Sequence, residues 1–298
     1  MTERPFNKVG VVLGGPSSER EVSLRSGAAV AKGLRQAGYE VEKIDVTGHE
    51  IDVPAGVEAV FVVLHGEFGE DGQIQQALRD KGVPYTGSSP EASRASFDKT
   101  ISKRILEENG IPTPAYELLR DGQPRKIPLP AVVKPVRQGS SIGVHIVEAE
   151  ENWANALSDA LSFDGEVVVE AFIQGSELTV GVVGEEVLPV LEIRAPKGFY
   201  NYDAKYTKGK TEYLVPAPLP EEKAEACREM ALRTFRALDC RDLGRVDFRM
   251  SSAGELYVLE LNNIPGFTET SLLPKAARAV GIEFPELCDR IMRMASVH

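Results

Sequence analysis

Gly244-Arg245-Val246-Asp247-Phe248 and, after a short turn, Leu259-Glu260-Leu261-Asn262-Asn263-Ile264-Pro265-Gly266 form the most informative part of this chain. Apolar runs over residues 245–250 and 256–261 flank the turn and predict a β-hairpin. Because side chains alternate along a strand, Glu260 and Asn262 share one face, and strand pairing can bring Asp247 beside them. Carboxylates among Val, Phe and Leu side chains are unfavourable unless a partner such as a cation offsets the cost of their burial.

These three side chains form a candidate magnesium site. Mg²⁺ uses one or two carboxylates and leaves its other positions to water and phosphate oxygens, as in phosphoryl-transfer enzymes. The alternative is an edge hairpin whose polar side chains point to solvent, since alternation alone can produce that pattern. Arg245 and the exit Asn262-Asn263-Ile264-Pro265-Gly266 favour the metal site.

Length, charge and cysteine content limit the class of protein. The chain has 298 residues, enough for two or three domains, and its net charge of -11 argues against a nucleic-acid surface, which needs a basic face. No apolar run approaches the roughly 18 residues of a membrane span, and the N-terminus lacks a secretory apolar segment, so we expect a cytoplasmic protein with no membrane partner. Cys227, Cys240 and Cys288 are widely spaced and predict buried thiols without a zinc site or a disulfide.

The first hundred residues alternate strand and helix signals, which predict an α/β layer with a parallel sheet. Ligand-binding loops are expected at residues 14–19 and 65–72, where predicted strands end. A helix over residues 98–109 ends at Gly110-Ile111-Pro112-Thr113-Pro114, a break that marks entry to a second part richer in strands. We therefore expect an N-terminal substrate-binding domain over residues 1–98, a central domain over 99–190 and a C-terminal domain over 191–298.

The central part carries candidate anion-binding residues. A glycine-serine loop over residues 137–144 can wrap a phosphate or acyl group with its N–H groups and hydroxyls, although it lacks the P-loop pattern and can also be a plain turn. Lys134 ends an apolar strand and Lys99 opposes a helix dipole, so both are better explained as anion ligands. Glu170 and Glu177 can accept hydrogen bonds from a base amine and ribose hydroxyls, or can be solvated carboxylates.

Several ordered stretches resemble the ATP-grasp superfamily, and specifically the D-alanine–D-alanine ligases of bacterial cell-wall synthesis. They span nearly the whole chain and are Gly14-Gly15-Pro16-Ser17-Ser18-Glu19-Arg20-Glu21-Val22-Ser23, Leu64-His65-Gly66 with Gly69-Glu70-Asp71-Gly72, Tyr85-Thr86-Gly87-Ser88, Lys134-Pro135 with Gly139-Ser140-Ser141, and residues 260–266. The resemblance implies an α/β N-terminal domain with a parallel sheet, followed by a two-domain α+β ATP-grasp part that holds ATP between two antiparallel sheets. It places the amino acids where all three domains meet.

The resemblance also implies the ligands and the residues at the nucleotide end. The substrates would be D-alanine and ATP, with two Mg²⁺ ions that Mn²⁺ can replace, and the assembly would be a homodimer. The Mg²⁺ ligands would be Asp247, Glu260 and Asn262. The ATP phosphates would contact Lys99, Lys134 and Lys205. Adenine and ribose would contact Glu170, Glu177 and the main chain of Ala171 and Ile173, where Ala171 departs from the lysine that is common in relatives.

The amino-acid end is assigned by the same resemblance. Glu19 would pair with the ammonium of the first D-alanine and also serve in catalysis, with His65 beside that substrate. Ser271 and the main chain of Leu272 would take the carboxylate of the second D-alanine at a helix start, where anions are favoured.

The remaining implied residues act in catalysis. Arg245 and the Gly266 N–H would face the oxyanion of the tetrahedral intermediate. Tyr206, in a polar loop over residues 201–211 with the features of a lid, would link to Ser140 and to the substrate-binding glutamate. The implied reaction transfers the γ-phosphoryl group of ATP to the first D-alanine, and the amine of the second attacks the acylphosphate, giving D-alanyl-D-alanine for peptidoglycan precursors.

Three other functions remain open at this point. An ATP-grasp ligase with a different acceptor, D-lactate or D-serine, is the nearest alternative, and Tyr206 argues against D-lactate. A non-catalytic nucleotide-binding protein would need a broken site, yet Asp247, Glu260 and Arg245 are all present. A nicotinamide-dependent dehydrogenase fits only the first hundred residues, where the loop over residues 14–19 lacks the GxGxxG fingerprint.

Overall fold

The first of three β-sheets in the structure is parallel. A computed structural model describes residues 4–194 and 211–298. The sheet and its helices comprise β1 (Lys8–Gly14), α1 (Arg20–Gln36), β2 (Glu40–Val46), β3 (Ala59–Val62), α2 (Gln73–Asp80) and α3 (Pro90–Phe97). The strand order is β2-β1-β3 with every pair parallel. Both faces of β1 are buried, as Val9, Val11 and Val12 show, which explains its unbroken apolar sequence and confirms the predicted α/β layer.

The second sheet is antiparallel and lies in the central part of the chain. Its elements are α4 (Lys99–Glu108), β4 (Tyr116–Leu119), β5 (Ala131–Pro135), β6 (His145–Val147), a 3-10 turn (Glu150–Asn152), α5 (Trp153–Asp164) and β7 (Val167–Ala171). The strand order is β4-β7-β5-β6. Asp98 caps α4 by accepting a hydrogen bond from the Thr100 N–H at 2.9 Å, so the helix begins one residue after the predicted start.

The third sheet is also antiparallel and contains the hairpin. Its strands are β8 (Gly175–Val183), β9 (Glu186–Val187), β10 (Leu191–Arg194), β11 (Glu212–Leu214), β12 (Leu243–Ser251) and β13 (Leu256–Asn262). The order is β11-β10-β8-β12-β13, with β9 paired to β8. The accompanying helices are α6 (Glu221–Ala237), α7 (Leu272–Ala279) and α8 (Phe284–Met292). A parallel sheet and two antiparallel sheets together match the predicted α/β plus α+β organisation.

Strand β8 belongs to the third sheet, although the predicted central domain over residues 99–190 includes it. It pairs along its full length with β12 and also with β10. Its first residue must be glycine, because a Cβ on Gly175, whose φ is +152°, would lie 1.9 Å from the Met250 carbonyl oxygen. The expected boundary at residue 190 therefore falls inside this sheet, and the division into three domains stays a prediction.

The C-terminal helices return to the N-terminal sheet. One buried apolar cluster joins β1 and α1 to residues of α7 and α8, and the rings of Phe61 and Phe267 lie 5.5 Å apart between their centroids. This packing holds the loop that leaves β13 against the carboxyl edge of the parallel sheet. The structure thereby brings the predicted ligand loops of the N-terminal part to the end of the hairpin.

Two further predictions concern membranes and thiols. Within the described ranges, no helix is long and apolar enough to cross a membrane. Cys227, Cys240 and Cys288 are all buried free thiols, as predicted. Burial raises the pKa of the Cys240 thiol to about 11, so it is protonated and unreactive at neutral pH.

Candidate active site

Strands β12 and β13 place the predicted metal ligands on one face. Asp247 lies directly opposite Glu260, and Arg245 lies opposite Asn262. The register shifts after Asp247, because Leu259 is an extra residue in β13 and forms a β-bulge. The predicted convergence of the three oxygen-bearing side chains is present.

Strands β12 and β13 form a two-stranded ribbon, and its two carboxylates, Asp247 and Glu260, have different surroundings. Asp247 accepts hydrogen bonds from Arg245 (Nε 2.9 Å, Nη2 2.7 Å), Thr179 Oγ1 (2.6 Å) and Asn262 Nδ2 (3.0 Å). Glu260 is half-buried and makes no hydrogen bond or ion pair with any other described residue. The ribbon thus combines one carboxylate fixed in place with one that is open to a ligand.

This donor set fits magnesium. Two carboxylates and an amide oxygen are hard ligands, and Mg²⁺ usually takes only one or two carboxylates from the protein. Elsewhere in residues 4–194 and 211–298, no three His, Cys, Asp or Glu side chains cluster as an all-protein metal cage. The open carboxylate of Glu260 is the feature that a cation would satisfy, and the role of the three residues as metal ligands stays a prediction.

Three lysines and one glutamate form a buried cluster between α4 and the second sheet. Lys134 Nζ lies 2.7 Å from Glu170 Oε2, and Lys103 Nζ lies 2.9 Å from Glu170 Oε1. Lys103 is 1% exposed and also donates a hydrogen bond to Thr113 Oγ1 at 2.6 Å. The sequence predicts roles for Lys99, Lys134 and Glu170 but not for Lys103, whose only signal is its place one turn after Lys99.

Electrostatics decides the charge state of this cluster. Burial alone would raise the pKa of Glu170, but the charges of Lys103 and Lys134 outweigh it and lower that pKa to about 2. Burial lowers the pKa of Lys99. The negative charge of Glu260 opposes this shift, whereas the positive charge of Lys134 adds to it. Since three cations face fewer anions here, the region favours an anionic ligand.

The glycine-serine loop lies between β5 and β6, as predicted, and is fixed at its first residues. Lys99 Nζ donates to the Gln138 carbonyl at 2.7 Å, and Arg137 Nε donates to Asp98 Oδ2 at 2.8 Å. Ser140 and Ser141 have left-handed φ angles of +51° and +61°, which non-glycine residues adopt only where their surroundings impose it. The loop therefore presents its serines in one defined arrangement above Lys99.

Ser140 connects this loop to the start of α1. Its hydroxyl donates to Glu19 Oε1. Glu19 is the N-cap residue of α1, yet its side chain does not cap that helix. Gly139 allows the approach, because a Cβ there would lie 3.2 Å from Glu19 Oε2. The resemblance links these two residues, Ser140 and Glu19, through Tyr206, which lies outside the described residues, so that link stays a prediction.

A cavity of about 590 Å³ lies where the parallel sheet, the glycine-serine loop and the end of the hairpin meet. Its walls include eight of the predicted residues, namely Glu19, His65, Ser140, Arg245, Asn262, Gly266, Ser271 and Leu272. The predicted nucleotide residues that the structure describes lie outside it, around the buried lysine cluster. The structure therefore separates the residues predicted to bind the amino acids from those predicted to bind the nucleotide, with Asp247 and Glu260 between them.

His65 sits in the wall of this cavity beside Glu70, a carboxylate for which the sequence predicts no role. Its Nδ1 lies 3.1 Å from the Ile264 carbonyl oxygen and 3.5 Å from Glu70 Oε1, and its Nε2 lies 3.2 Å from Ser26 Oγ. Burial raises the pKa of Glu70, and the negative charge of Glu19 adds to this effect while His65 opposes it. The quoted Gly69-Glu70-Asp71-Gly72 stretch was the available signal for Glu70.

The start of α7 forms the opposite wall. Ser271 is the N-cap residue, but its Oγ accepts from the Thr268 N–H at 2.9 Å and does not cap the helix. Pro274 in the first turn carries no N–H. The free N–H groups at the helix start, beside Leu272, suit a carboxylate.

Glu177, predicted to bind the nucleotide, has a neighbour, Arg249, for which the sequence predicts no role. Arg249 is buried, lies 3.6 Å from Glu177 Oε2 through Nη2 and donates to the Gly175 carbonyl at 2.9 Å. The Ala171 N–H donates to the Ala115 carbonyl at 2.8 Å, which leaves this N–H unable to serve a ligand. The Ile173 N–H has no hydrogen-bond partner among the described residues.

Lys205, Tyr206 and most of the predicted lid over residues 201–211 lie outside the described residues. Thr211, the last residue of that segment, lines the cavity. The predicted roles of Lys205 and Tyr206 therefore stay predictions.

Comparison with known proteins places this geometry in a family. The family described as D-ala D-ala ligase C-terminus matches residues 105–293, and that described as D-ala D-ala ligase N-terminus matches residues 47–88. The D-alanine–D-alanine ligase of Syntrophotalea carbinolica is 48% identical over 296 residues, covering 97% of this chain and 96% of the relative. That of Methylacidiphilum infernorum is 46% identical over 289 residues, covering 96% and 95%.

A solved structure agrees over the whole fold. The crystal structure of the D-alanine–D-alanine ligase from Bacillus anthracis complexed with ATP superposes with a TM-score of 0.85 at 34% identity and covers 97% of each chain. Because the C-terminal family match covers more than half of the chain and the relatives align along nearly all of it, the chain belongs to the D-alanine–D-alanine ligases, ADP-forming ligases with an ATP-grasp fold.

Proposed function

We propose that the protein uses ATP to join two D-alanine molecules into D-alanyl-D-alanine, releasing ADP and phosphate, and so supplies peptidoglycan precursors. The observation that carries this proposal is the position of the 590 Å³ cavity. It is lined by the residues predicted to bind the two D-alanine molecules, and it adjoins Asp247 and Glu260 on strands β12 and β13. A carboxylate bound in that cavity would lie next to the site proposed for the phosphates.

The nucleotide end would hold ATP with magnesium. Asp247, Glu260 and Asn262 would hold two Mg²⁺ ions, or Mn²⁺ in their place, which would neutralise phosphate charge during phosphoryl transfer. Lys99 and Lys134 supply cations from the protein, and both are buried, so their charges act in a medium of low polarity. Lys205 would add a third cation.

The adenine end would select the base through backbone and carboxylate groups. The open Ile173 N–H can donate to a ring nitrogen, and Glu170 can accept from the exocyclic amine. Glu170 Oε1 is a buried oxygen that makes an ion pair with Lys103 but accepts no well-directed hydrogen bond. Glu177, held by Arg249, would take the ribose hydroxyls.

The first D-alanine would be fixed by Glu19. Its carboxylate would pair with the ammonium group, and the Ser140 hydroxyl holds Glu19 in place. His65 and Glu70 form the wall behind it. Because the ammonium is tied down at one end of the cavity, the substrate carboxylate is directed towards the ribbon and attacks the γ-phosphorus, with ADP as the leaving group.

The second D-alanine would bind at the start of α7. Ser271 and the Leu272 N–H would hold its carboxylate, leaving the amine to attack the acylphosphate carbonyl. The C–N bond forms as the neutral amine attacks, phosphate departs with the C–O electron pair, and the proton lost by nitrogen ends on the released phosphate. Arg245 and the Gly266 N–H, which line the same cavity, would stabilise the oxyanion that develops between these events.

Location and assembly complete the proposal. A cytoplasmic homodimer is the expectation for this family, and light scattering coupled to gel filtration would measure the mass in solution. A monomer at micromolar concentration would contradict the dimer without affecting the proposed reaction.

The reaction is tested by phosphate release from Mg-ATP by purified protein with D-alanine, L-alanine, D-lactate or D-serine, followed by mass measurement of the product. We expect phosphate and D-alanyl-D-alanine with D-alanine alone. A mixed product formed when D-alanine is supplied with D-lactate or D-serine would assign a different acceptor. Absence of both phosphate and dipeptide with D-alanine would overturn the proposal.

A further inference from the structure

Two cations in the cavity wall, the exposed Arg25 and the half-buried Lys275, have no role in the reaction described so far. Lys275 lies on α7, one turn after Ser271, and lines the cavity next to Leu272. Residues four apart share one face of a helix, so Lys275 and Ser271 face the same space. The lysine is half-buried, in contrast to the exposed Arg278 further along the helix.

The contacts of Lys275 leave its charge uncompensated. Its Nζ donates to the Thr270 carbonyl at 2.7 Å and lies 4.2 Å from the centroid of the Tyr213 ring. Both partners are uncharged, and no carboxylate within residues 4–194 and 211–298 lies at ion-pair distance. Burial, with a smaller contribution from Arg278, lowers the pKa of Lys275. An ammonium in this position would gain from an anion in the cavity.

The neighbouring contacts hold the ammonium in place. The Thr270 carbonyl precedes the N-cap residue, and Tyr213 packs in the same apolar cluster as Leu272. A lysine tied at its head group loses little further side-chain freedom when a ligand arrives. The arrangement is therefore prepared for a charged group beside the start of α7.

We propose that Lys275 is a specificity-determining residue that recognises the carboxylate of the second amino acid. This inference rests on the proposed function, which puts that carboxylate at Ser271 and Leu272. The helix start offers N–H dipoles, whereas Lys275 adds a full positive charge to the same subsite. The residue would then select acceptors that carry a carboxylate over neutral analogues of the same shape.

The test measures inhibition of Mg-ATP-dependent phosphate release by D-alanyl-D-alanine and by D-alanyl-D-alaninamide, in which the terminal carboxylate is a neutral amide. We expect the wild type to bind the acid about 10- to 100-fold more tightly than the amide, the range for hydrogen bonds to charged groups. Lys275→Met and Lys275→Gln should each reduce that preference at least about 5-fold. The Michaelis constant of the second D-alanine should rise, while that of ATP stays unchanged.

Two control variants separate recognition from support of the fold. Lys275→Arg keeps the cation and should retain the acid preference within about 3-fold. Arg278→Met removes an exposed charge one turn away, whose own ion pair is with Glu283 at 3.8 Å, and should leave the preference unchanged. A purely structural role for Lys275 would weaken acid and amide equally.

The inference is overturned if both neutral Lys275 variants keep the wild-type ratio of acid to amide, or if Arg278→Met loses as much of it. These results are distinct from failure of the proposed function. If the proposed function failed, the wild type itself would form no dipeptide from D-alanine and Mg-ATP. Normal dipeptide formation, with the wild-type ratio of acid to amide binding kept in the neutral Lys275 variants, would remove only the role of Lys275.

Discussion

The lysines at the two ends of the proposed site differ in whether a carboxylate of the protein pairs with them. At the nucleotide end, Lys103 and Lys134 are buried against Glu170 at 2.9 and 2.7 Å, so much of their charge is balanced within the protein. At the acceptor end, Lys275 faces an open cavity with only a carbonyl and an aromatic ring as partners among the described residues. Charges that hold a deep site together are paired by the protein, whereas a charge that recognises a substrate is left for that substrate.

The largest expected effect is the loss of a paired lysine. Lys103→Met would leave Glu170 buried with one cation fewer and would leave Thr113 without its donor. Breaking a buried ion pair costs about 3–5 kcal/mol, so we expect the free energy of unfolding to fall by about that amount in urea titrations. Adding Glu170→Gln to Lys103→Met should recover part of the loss, because the two effects are coupled. Simple addition of the two losses would show that Lys103 is not balancing Glu170.

A comparable effect on turnover, with little effect on stability, is expected at the open carboxylate of the ribbon. Glu260→Gln removes a charge that no described residue pairs and that we propose binds Mg²⁺, and it should lower kcat about 100- to 1000-fold, the scale of losing one preorganised electrostatic group. The melting temperature should change little for the same reason. Steady-state kinetics and thermal unfolding of the same preparation measure both. Equal losses in the two would instead mark Glu260 as a structural residue.

A third carboxylate tests the role of the balancing cations. Asp242 is buried like Glu170, but no described cation pairs with it, and burial raises its pKa to about 7 despite the hydrogen bond from the Gly87 N–H at 2.8 Å. The folded state holds this proton more tightly than the unfolded state, whose value is 3.8. The free energy of unfolding should therefore fall as pH rises from about 4 to about 7, by up to about 1.4 kcal/mol per pH unit, and level off above pH 7.

Asp242→Asn keeps an oxygen for the Gly87 N–H and should remove this contribution. The difference in unfolding free energy between the variant and the wild type should grow in favour of the variant across that pH range. Urea titrations at half-unit pH steps measure it. Parallel curves for the two proteins would show that Asp242 is ionised at neutral pH and that burial does not control its charge.

The smallest expected effect is on stability at the acceptor end. Lys275→Met removes a cation that balances no described carboxylate, so the free energy of unfolding should change by no more than about 0.5 kcal/mol, as at sites without a structural partner. Thermal unfolding compared with Lys103→Met gives the contrast directly. A loss of several kcal/mol in Lys275→Met would erase the difference between the two ends.

Local pattern was sufficient for the hairpin and for most of the parallel sheet. Glu260 and Asn262 could be placed on one face because side chains alternate with a period of two, but the register set by the turn alone would pair Asp247 with Leu259 and leave it on the opposite face. The bulge at Leu259 could not be predicted, since no residue type there requires it. Its effect is to keep Asp247 and Glu260 directly opposed.

The features that the sequence does not predict depend on contacts between elements that are far apart in the chain. Lys103 resembles an ordinary charged helix residue, and its burial depends on β7, more than 60 positions away in the chain. Strand β8 was assigned to the central part because it follows β7 in the chain, whereas its hydrogen bonds go to β12. Lys275 was overlooked because only the tertiary structure shows that the cavity extends one turn along α7 from Ser271 to Lys275.

The central claim is that this site activates the carboxylate of one D-alanine with ATP before the second attacks. D-alanine labelled with ¹⁸O in both carboxylate oxygens, incubated with Mg-ATP and the protein, tests it through the mass of the phosphate released. An acylphosphate predicts one ¹⁸O in each phosphate and one ¹⁸O in the peptide carbonyl of the dipeptide. Dipeptide formation with unlabelled phosphate would contradict the account.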